Sequence, residues 1–212
     1  MESKAYSLSC EKNPHITLRV IPGHFTTSNS HLSHFIDVSG LKSNVSMARE
    51  VAKELAYSYL STTQIDTIVC VERTEVIGAF LAEELMASGV SAIGGGDIHI
   101  ITPISNNIGT LSFLSSVVNL LAGRNILLLT TSVSSGRSLN GALDCLAYYR
   151  ANIVGISTLF MVSSAHAEHE VNALFTSDAI PGYKSFSSRD CELCRAGLPL
   201  DALISSEGFT KI

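Results

Sequence analysis

The chain has 212 residues, 16% of them charged and 46% apolar, with a mean hydropathy of +0.30; an average soluble domain carries roughly 25% charge, and a sequence this apolar is excluded from the disordered class. A net charge of −5 and a pI near 5.8, with no Lys/Arg cluster, exclude nucleic acid or an anionic membrane surface as an electrostatic partner. The apolar stretches at 111–121, 126–129 and 153–162 are all interrupted by Ser, Thr, Gly or Asn, so no membrane-spanning helix is expected. With no basic segment and apolar run at the start, the expected compartment is the cytoplasm, and the charge deficit points to apolar surface hidden in a homodimer interface.

The predicted elements alternate along the chain. Residues 16–21 and 34–38 are strand-like. Met47, Val51, Leu55 and Tyr59 recur every four residues and place one face of a helix after the turn-rich segment 39–44. Residues 65–71 are short, β-branched and almost wholly apolar, the pattern of a strand covered on both faces in a parallel sheet. Ile77, Phe80, Leu81 and Leu85 give a second helix closed by Gly89. Residues 98–103 read as a strand or β-arm. The run 111–121, with Phe113, Leu114, Val117, Val118, Leu120 and Leu121 covering more than one face, reads as a buried helix that could serve a dimer contact. A central strand at 125–130 follows, then a helix on Leu139, Leu143, Leu146 and Ala147, and strands at 152–160 and 171–175. Strands alternating with helices predict right-handed βαβ units and a doubly wound, mainly parallel α/β sheet. No linker divides the sequence, so it reads as a single domain, with a core over about 45–176 and a small hood from 1–44 and 177–212.

In an open parallel sheet ligands bind where strands end, so the loops after strands are the places to look. Between the strand at 125–130 and its helix, residues 131–138 include five hydroxyl side chains, and Gly136 is free to take a positive φ. Ser134, Ser135, Gly136, Arg137 and Ser138 can form a phosphate cradle from converging N–H groups, a helix N-terminus and a guanidinium. A Ser-capped strand-to-helix turn explains the same composition. The nucleotide triphosphatase P-loop pattern is absent, and Gly94, Gly95 and Gly96 fit a hinge better than a dinucleotide fingerprint.

The strand ending Ile-Leu-Leu-Leu-Thr-Thr-Ser-Val-Ser-Ser-Gly-Arg-Ser (126–138) resembles the phosphoribosyl-diphosphate signature of type I phosphoribosyltransferases. The run 70–85 resembles their pyrophosphate loop and its helix, and 148–156 the passage after the signature. Residues 24–37 and 190–197 look like the ends of the orotate phosphoribosyltransferase-like branch. The resemblance implies phosphoribosyl diphosphate or a nucleoside monophosphate as ligand, transfer of phosphoribose to a nucleobase, and Mg²⁺. It also implies 5-phosphate contacts from residues 134–138 and diphosphate contacts from Glu72, Arg73 and Thr74. The sequence departs from the family where the strand should end in two adjacent acidic residues that hold the ribose hydroxyls: Thr130 and Thr131 stand there. The arm at 92–110 has no Lys or Arg, leaving Asp97 and His99 as its polar candidates. Either Glu72, Glu75 or Asp97 supplies the missing carboxylate for catalysis, or the chain is a nucleotide-binding or regulatory protein that keeps the phosphate site alone.

Five cysteines do not make a secreted disulfide framework, and Cys70 and Cys145 read as small buried hydrophobes. Cys191 and Cys194 have zinc-ligand spacing but form half a site. Cys10, His24, His31 or His34 could complete a Zn²⁺ site if the termini meet; reduced surface cysteines are the plainer reading. The histidines sit in a Ser/Thr-rich segment that suits an exposed loop or a base-recognising hood. His166 and Glu168, followed by Asp190-Cys-Glu-Leu-Cys194, also resemble the H-x-E…P-C-x-x-C signature of zinc deaminases. Asp190 in place of the proline, and only 18 residues after Cys194, argue against it.

Overall fold

Apolar residues of the central strands alternate between two covered faces. In the computed structural model, Val69, Ile126 and Leu128 pack with Leu139, Ala142 and Leu146 on one face. On the other, a Cβ placed at Gly78 would meet Cys70 Sγ, Ile68 and Ile100, and one at Gly155 would meet Leu127 and the Tyr59 ring. Side chains alternate across a strand, so both faces are covered, as in a parallel sheet built from βαβ units. All residues are described except 1, 29, 61–62, 91–94, 107–109, 164–168 and 206–207.

In chain order the elements are β1 (Tyr6–Ser9), β2 (Thr17–Thr26), β3 (Ser30–Asp37), α1 (Ser39–Ser43), α2 (Val45–Ala56), β4 (Thr67–Cys70), α3 (Glu75–Ala87) and β5 (His99–Ile101). There follow β6 (Ile104–Ser105), β7 (Leu111–Ser112), β8 (Asn125–Val133), α4 (Arg137–Tyr148), β9 (Asn152–Met161) and β10 (Asn172–Thr176). The chain ends in β11 (Ser185–Ser187), α5 (Glu192–Arg195), β12 (Ala202–Ser205) and β13 (Gly208–Lys211). These elements fall into two compact units, Lys42–Thr176 and the paired termini Met1–Leu41 with Ser177–Ile212.

The Lys42–Thr176 unit carries a five-stranded sheet in the order β10-β9-β8-β4-β5, every neighbour parallel. This is the expected α/β class. Helix α2 starts where the Asn44 side chain accepts the Met47 N–H at 3.0 Å, an N-cap that satisfies one orphan donor. The chain leaves β4 toward β5 on one side, then returns to build β8, β9 and β10 on the other. The strand order therefore reverses between β4 and β8.

The terminal unit holds a sheet ordered β11-β3-β2-β12-β13, with β1 on the outer side of β2. One cluster of its core joins Ile21, Phe25, Leu32, Phe35 and Ala202, and Ile16, Leu18 and Val20 are fully buried as well. The β2–β3 ladder is antiparallel and shifts register between Pro22 and Phe25. That bulge re-aims the side chains it contains, His24 among them.

The run 111–121 is not the expected helix: β7 is followed by a short 3-10 turn over Ser115–Leu120 in which no residue is buried. Phe113 and Leu121 are buried in the core and Leu111, Val117 and Leu120 pack against it partly buried, while Leu114 is 58% exposed. An apolar run without a polar face carries no period that separates helix from irregular cover. Cys145 is half-buried rather than core, its thiol donating to the Leu111 carbonyl at 3.4 Å.

Candidate functional site

The strand order reverses between β4 and β8, and open α/β sheets bind ligands in the crevice outside the carboxyl ends of their strands at such a reversal. Two loops border it, the turn after β4 at Glu72–Arg73 and the turn after β8 at Ser134–Gly136. Strand β8 runs three residues beyond the expected end at 130, so Thr130, Thr131, Ser132 and Val133 are strand, and Arg137 and Ser138 already belong to α4.

Gly136 sits at the N-cap of α4 with φ +79° and no side-chain cap. The first intrahelical bond is Asn140 N–H to the Gly136 carbonyl at 2.8 Å, so the N–H groups before it have no intrahelical acceptor. Ser134, Ser135, Arg137 and Ser138 are exposed around this helix start. The Ser-capped turn is thus not what forms. With no side-chain cap at Gly136, the positive end of the α4 dipole favours an anion there.

The loop after β4 is strained and tightly held. Glu72 and Arg73 both take positive φ, +57° and +62°, a conformation that costs a non-glycine residue about 1–2 kcal/mol. Such outliers persist where surrounding structure fixes them, and here three groups do so. The Thr74 hydroxyl donates inward to the Val71 and Leu129 carbonyls at 2.9 and 3.1 Å, which makes Thr74, fully buried, a support of the loop. Glu72 Oε2 accepts from the Thr130 hydroxyl at 3.1 Å, the Thr131 N–H at 3.1 Å and the Ser132 N–H at 3.3 Å. Lys42 Nζ donates to the Glu72 carbonyl at 2.9 Å and to Thr131 Oγ1 at 3.3 Å.

A carboxylate therefore rests against Thr130 and Thr131, the two positions where the sequence has hydroxyls and the resembling family has acids. Lys42 belongs to this site and sequence reasoning missed it; nothing in its local spacing marks it, and only the fold brings it to β8. Arg73 is exposed at the crevice rim. Glu75 opens α3 at the same carboxyl edge, held by the Thr102 hydroxyl at 3.0 Å. Asp97 is elsewhere, a correction to its candidacy. It precedes β5 and lines a pocket of about 190 Å³ with Asp66, Thr67, His99 and Arg124, at the amino ends of the strands. In a parallel sheet that is the edge opposite the crevice.

In the terminal unit the histidines lie in strands and are buried, His24 at 3%, His31 at 9% and His34 at 7% exposure, rather than in an exposed loop. His24 and His31 converge with Cys191 and Cys194, their ligand atoms all within 4.8 Å of one another. Cys191 is buried and Cys194 exposed, so the two are not both surface thiols. Burial, with the nearby His24 second, lowers the His31 pKa. His34 stays outside the cluster, stacked on Tyr183 with ring centroids 5.9 Å apart, and Cys10 is no part of it among the described residues. His166 and Glu168 lie outside the described residues; among the described residues the histidines beside the two cysteines are His24 and His31.

No protein-family model matches the chain, and no curated protein matches its sequence. Solved structures do match its fold. The UMP synthase of Leishmania donovani superimposes with a TM-score of 0.57 at 19% identity, over 75% of this chain and 34% of that one. Adenine phosphoribosyltransferase from Thermoanaerobacter pseudethanolicus gives 0.51 at 11% identity, over 82% and 96% of the two chains. The adenine phosphoribosyltransferase of Leishmania donovani gives 0.50 at 14%, over 79% and 84%. This chain thus spans about a third of the synthase and most of the shorter enzymes. At these identities the likeness is one of fold: the chain has the mixed α/β, mainly parallel architecture of the type I phosphoribosyltransferases.

Proposed function

We propose that the chain binds phosphoribosyl diphosphate in the β4/β8 crevice and transfers its phosphoribosyl group to a nucleobase, in the manner of the orotate-like branch. The observation that carries this reading is the Glu72 carboxylate held against Thr130, Thr131 and Ser132. It returns an acid to the strand end that lost its own pair.

The helix start at Gly136 and the hydroxyls of Ser134, Ser135 and Ser138 receive the 5-phosphate. Arg73 and Lys42 bring positive charge to the side where the diphosphate leaves. In the transfer the ribose C1–O bond to diphosphate breaks, a C1–N bond to the base forms, and the nitrogen's proton passes to solvent. Positive charge grows on the sugar as the C1–O bond lengthens, and a fixed carboxylate favours that charge in a site that excludes water. Glu72 Oε1 has no partner among the described residues, so this oxygen faces the ligand while Oε2 anchors the side chain. Mg²⁺ suits such a place, since it binds through one or two carboxylates plus substrate phosphates; Glu72 would hold it, and it would neutralise the diphosphate.

Binding is tested by thermal shift with phosphoribosyl diphosphate, nucleoside monophosphates and inorganic phosphate, each expected to stabilise by mass action. Transfer is tested by nucleotide formation from phosphoribosyl diphosphate and Mg²⁺ across a base panel led by pyrimidines. Stabilisation without any nucleotide product overturns the transferase reading in favour of a nucleotide-binding protein. No stabilisation by any of the ligands overturns both.

A further inference from the structure

We propose that His24, His31, Cys191 and Cys194 form a structural zinc site that fastens the β2–β3 hairpin to the C-terminal segment. The histidine pair and the cysteine pair lie at least 160 positions apart in the chain, yet their atoms converge. His24 Nε2 lies 3.1 Å from His31 Nδ1, 3.5 Å from Cys191 Sγ and 3.6 Å from Cys194 Sγ. His31 Nδ1 lies 3.2 Å from Cys194 Sγ. A tetrahedral zinc with its usual bonds to sulfur and nitrogen sets ligand edges of about 3.3 Å between nitrogens and about 3.6 Å between nitrogen and sulfur. The four edges given fall on those values or up to about 0.4 Å inside them, and all six lie within 4.8 Å.

The tautomer agrees with the geometry. The other ring nitrogen of His24, Nδ1, sits 2.9 Å from the Leu198 carbonyl oxygen, which can only accept. Nδ1 therefore carries the proton, and Nε2 turns its lone pair into the cluster. A metal-bound histidine is oriented by just such a bond from its far nitrogen. The ring is held further from both sides of its own backbone: the His24 N–H donates to Asp201 Oδ2 at 2.8 Å, and the Asp201 N–H donates to the His24 carbonyl at 2.7 Å. The register shift between Pro22 and Phe25 places His24 in the bulge that aims it. Gly23 beside it leaves no room for a side chain, since a Cβ there would stand 2.7 Å from Asp201 Oδ2.

Four protein ligands leave no open coordination position, which makes the site structural rather than catalytic. The unit it would staple is assembled from two short terminal segments, Met1–Leu41 and Ser177–Ile212, and units of this size gain most from a metal. All four ligands belong to the terminal unit, so this inference stands apart from the reading of the β4/β8 crevice.

The test is metal analysis of tag-free protein from zinc-supplemented cells, which should carry about one zinc per chain, lost in Cys191→Ser/Cys194→Ser. Zinc at background in the wild type, before and after refilling with Zn²⁺, overturns the proposal. Should the double variant fail to fold, cobalt substitution of the wild type decides. Thiolate-to-cobalt charge-transfer absorption with intense tetrahedral bands supports the site, and a weak octahedral spectrum overturns it.

Discussion

Replacing Glu72 with alanine removes one oxygen shared by three donors: the Thr130 hydroxyl and the Thr131 and Ser132 N–H groups. Hydrogen bonds to a charged acceptor contribute about 1.5–3 kcal/mol each. These three compete for one oxygen, however, and the Ser132 N–H lies on an exposed residue where water replaces the lost partner. About 2–4 kcal/mol is then the expected loss of stability, and at roughly 2–4 °C per kcal/mol for a chain of this size the melting temperature falls by about 5–15 °C. Glu72→Gln keeps an acceptor but not the charge, so it should lose about half as much. The catalytic consequence differs in kind. Removing a preorganised charge from a transition state costs about 10²–10³ in rate, so Glu72→Gln should cut kcat by that factor while phosphoribosyl diphosphate still protects it in a thermal shift. Nucleotide formation by Glu72→Gln within a few-fold of the wild type refutes the role given to the carboxylate. An unchanged melt for Glu72→Ala refutes the hydrogen-bond reasoning itself.

Gly136→Ala forces a Cβ into a backbone at φ +79°, costing about 1–2 kcal/mol; phosphate ligands should bind roughly tenfold more weakly as the helix start shifts, measured by calorimetry. Lys42→Met keeps the apolar stem but removes the charge that bonds the Glu72 carbonyl and Thr131. Its affinity should fall more for phosphoribosyl diphosphate than for a nucleoside monophosphate, and the salt dependence of the former should flatten. Burial lowers the His34 pKa below its ordinary 6.5. On acidification the unfolded chain therefore takes up this proton first, so His34 contributes full stability above about pH 6.5 and progressively less below it. Melts of His34→Gln should show a shallower decline between pH 7.5 and 5.5 than those of the wild type.

Much of the α/β frame was legible because burial on both faces writes itself as short, continuous β-branched runs. The strands expected at 65–71 and 125–130 were read that way, corresponding to β4 and the first part of β8, whereas the hydroxyl-rich run 131–138 suited a phosphate cradle and a Ser-capped turn alike. The run 111–121 was not legible, since Leu, Val and Phe without a polar face suit a helix, a strand or a 3-10 cover equally. Asp97 was misplaced by an argument from proximity to an arm, although a residue just before a parallel strand arrives at the amino edge. Lys42 and the carboxylate contact of Glu72 with Thr130 and Thr131 are products of the crossing between β4 and β8, which no local pattern encodes. The cysteine pair declared its own spacing and left Cys10, His24, His31 and His34 as candidate partners; which of them converge on it is decided only when the two termini fold into one sheet.

The central claim is that the β8–α4 turn receives the phosphate of a phosphoribosyl ligand. A crystal structure grown with phosphoribosyl diphosphate and Mg²⁺ tests it most directly. The account predicts the 5-phosphate on the N–H groups and hydroxyls of residues 134–138, with the ribose beside the Glu72 carboxylate. A ligand bound at the amino-end pocket of Asp97 and Arg124, or a vacant turn at saturating ligand, would contradict it.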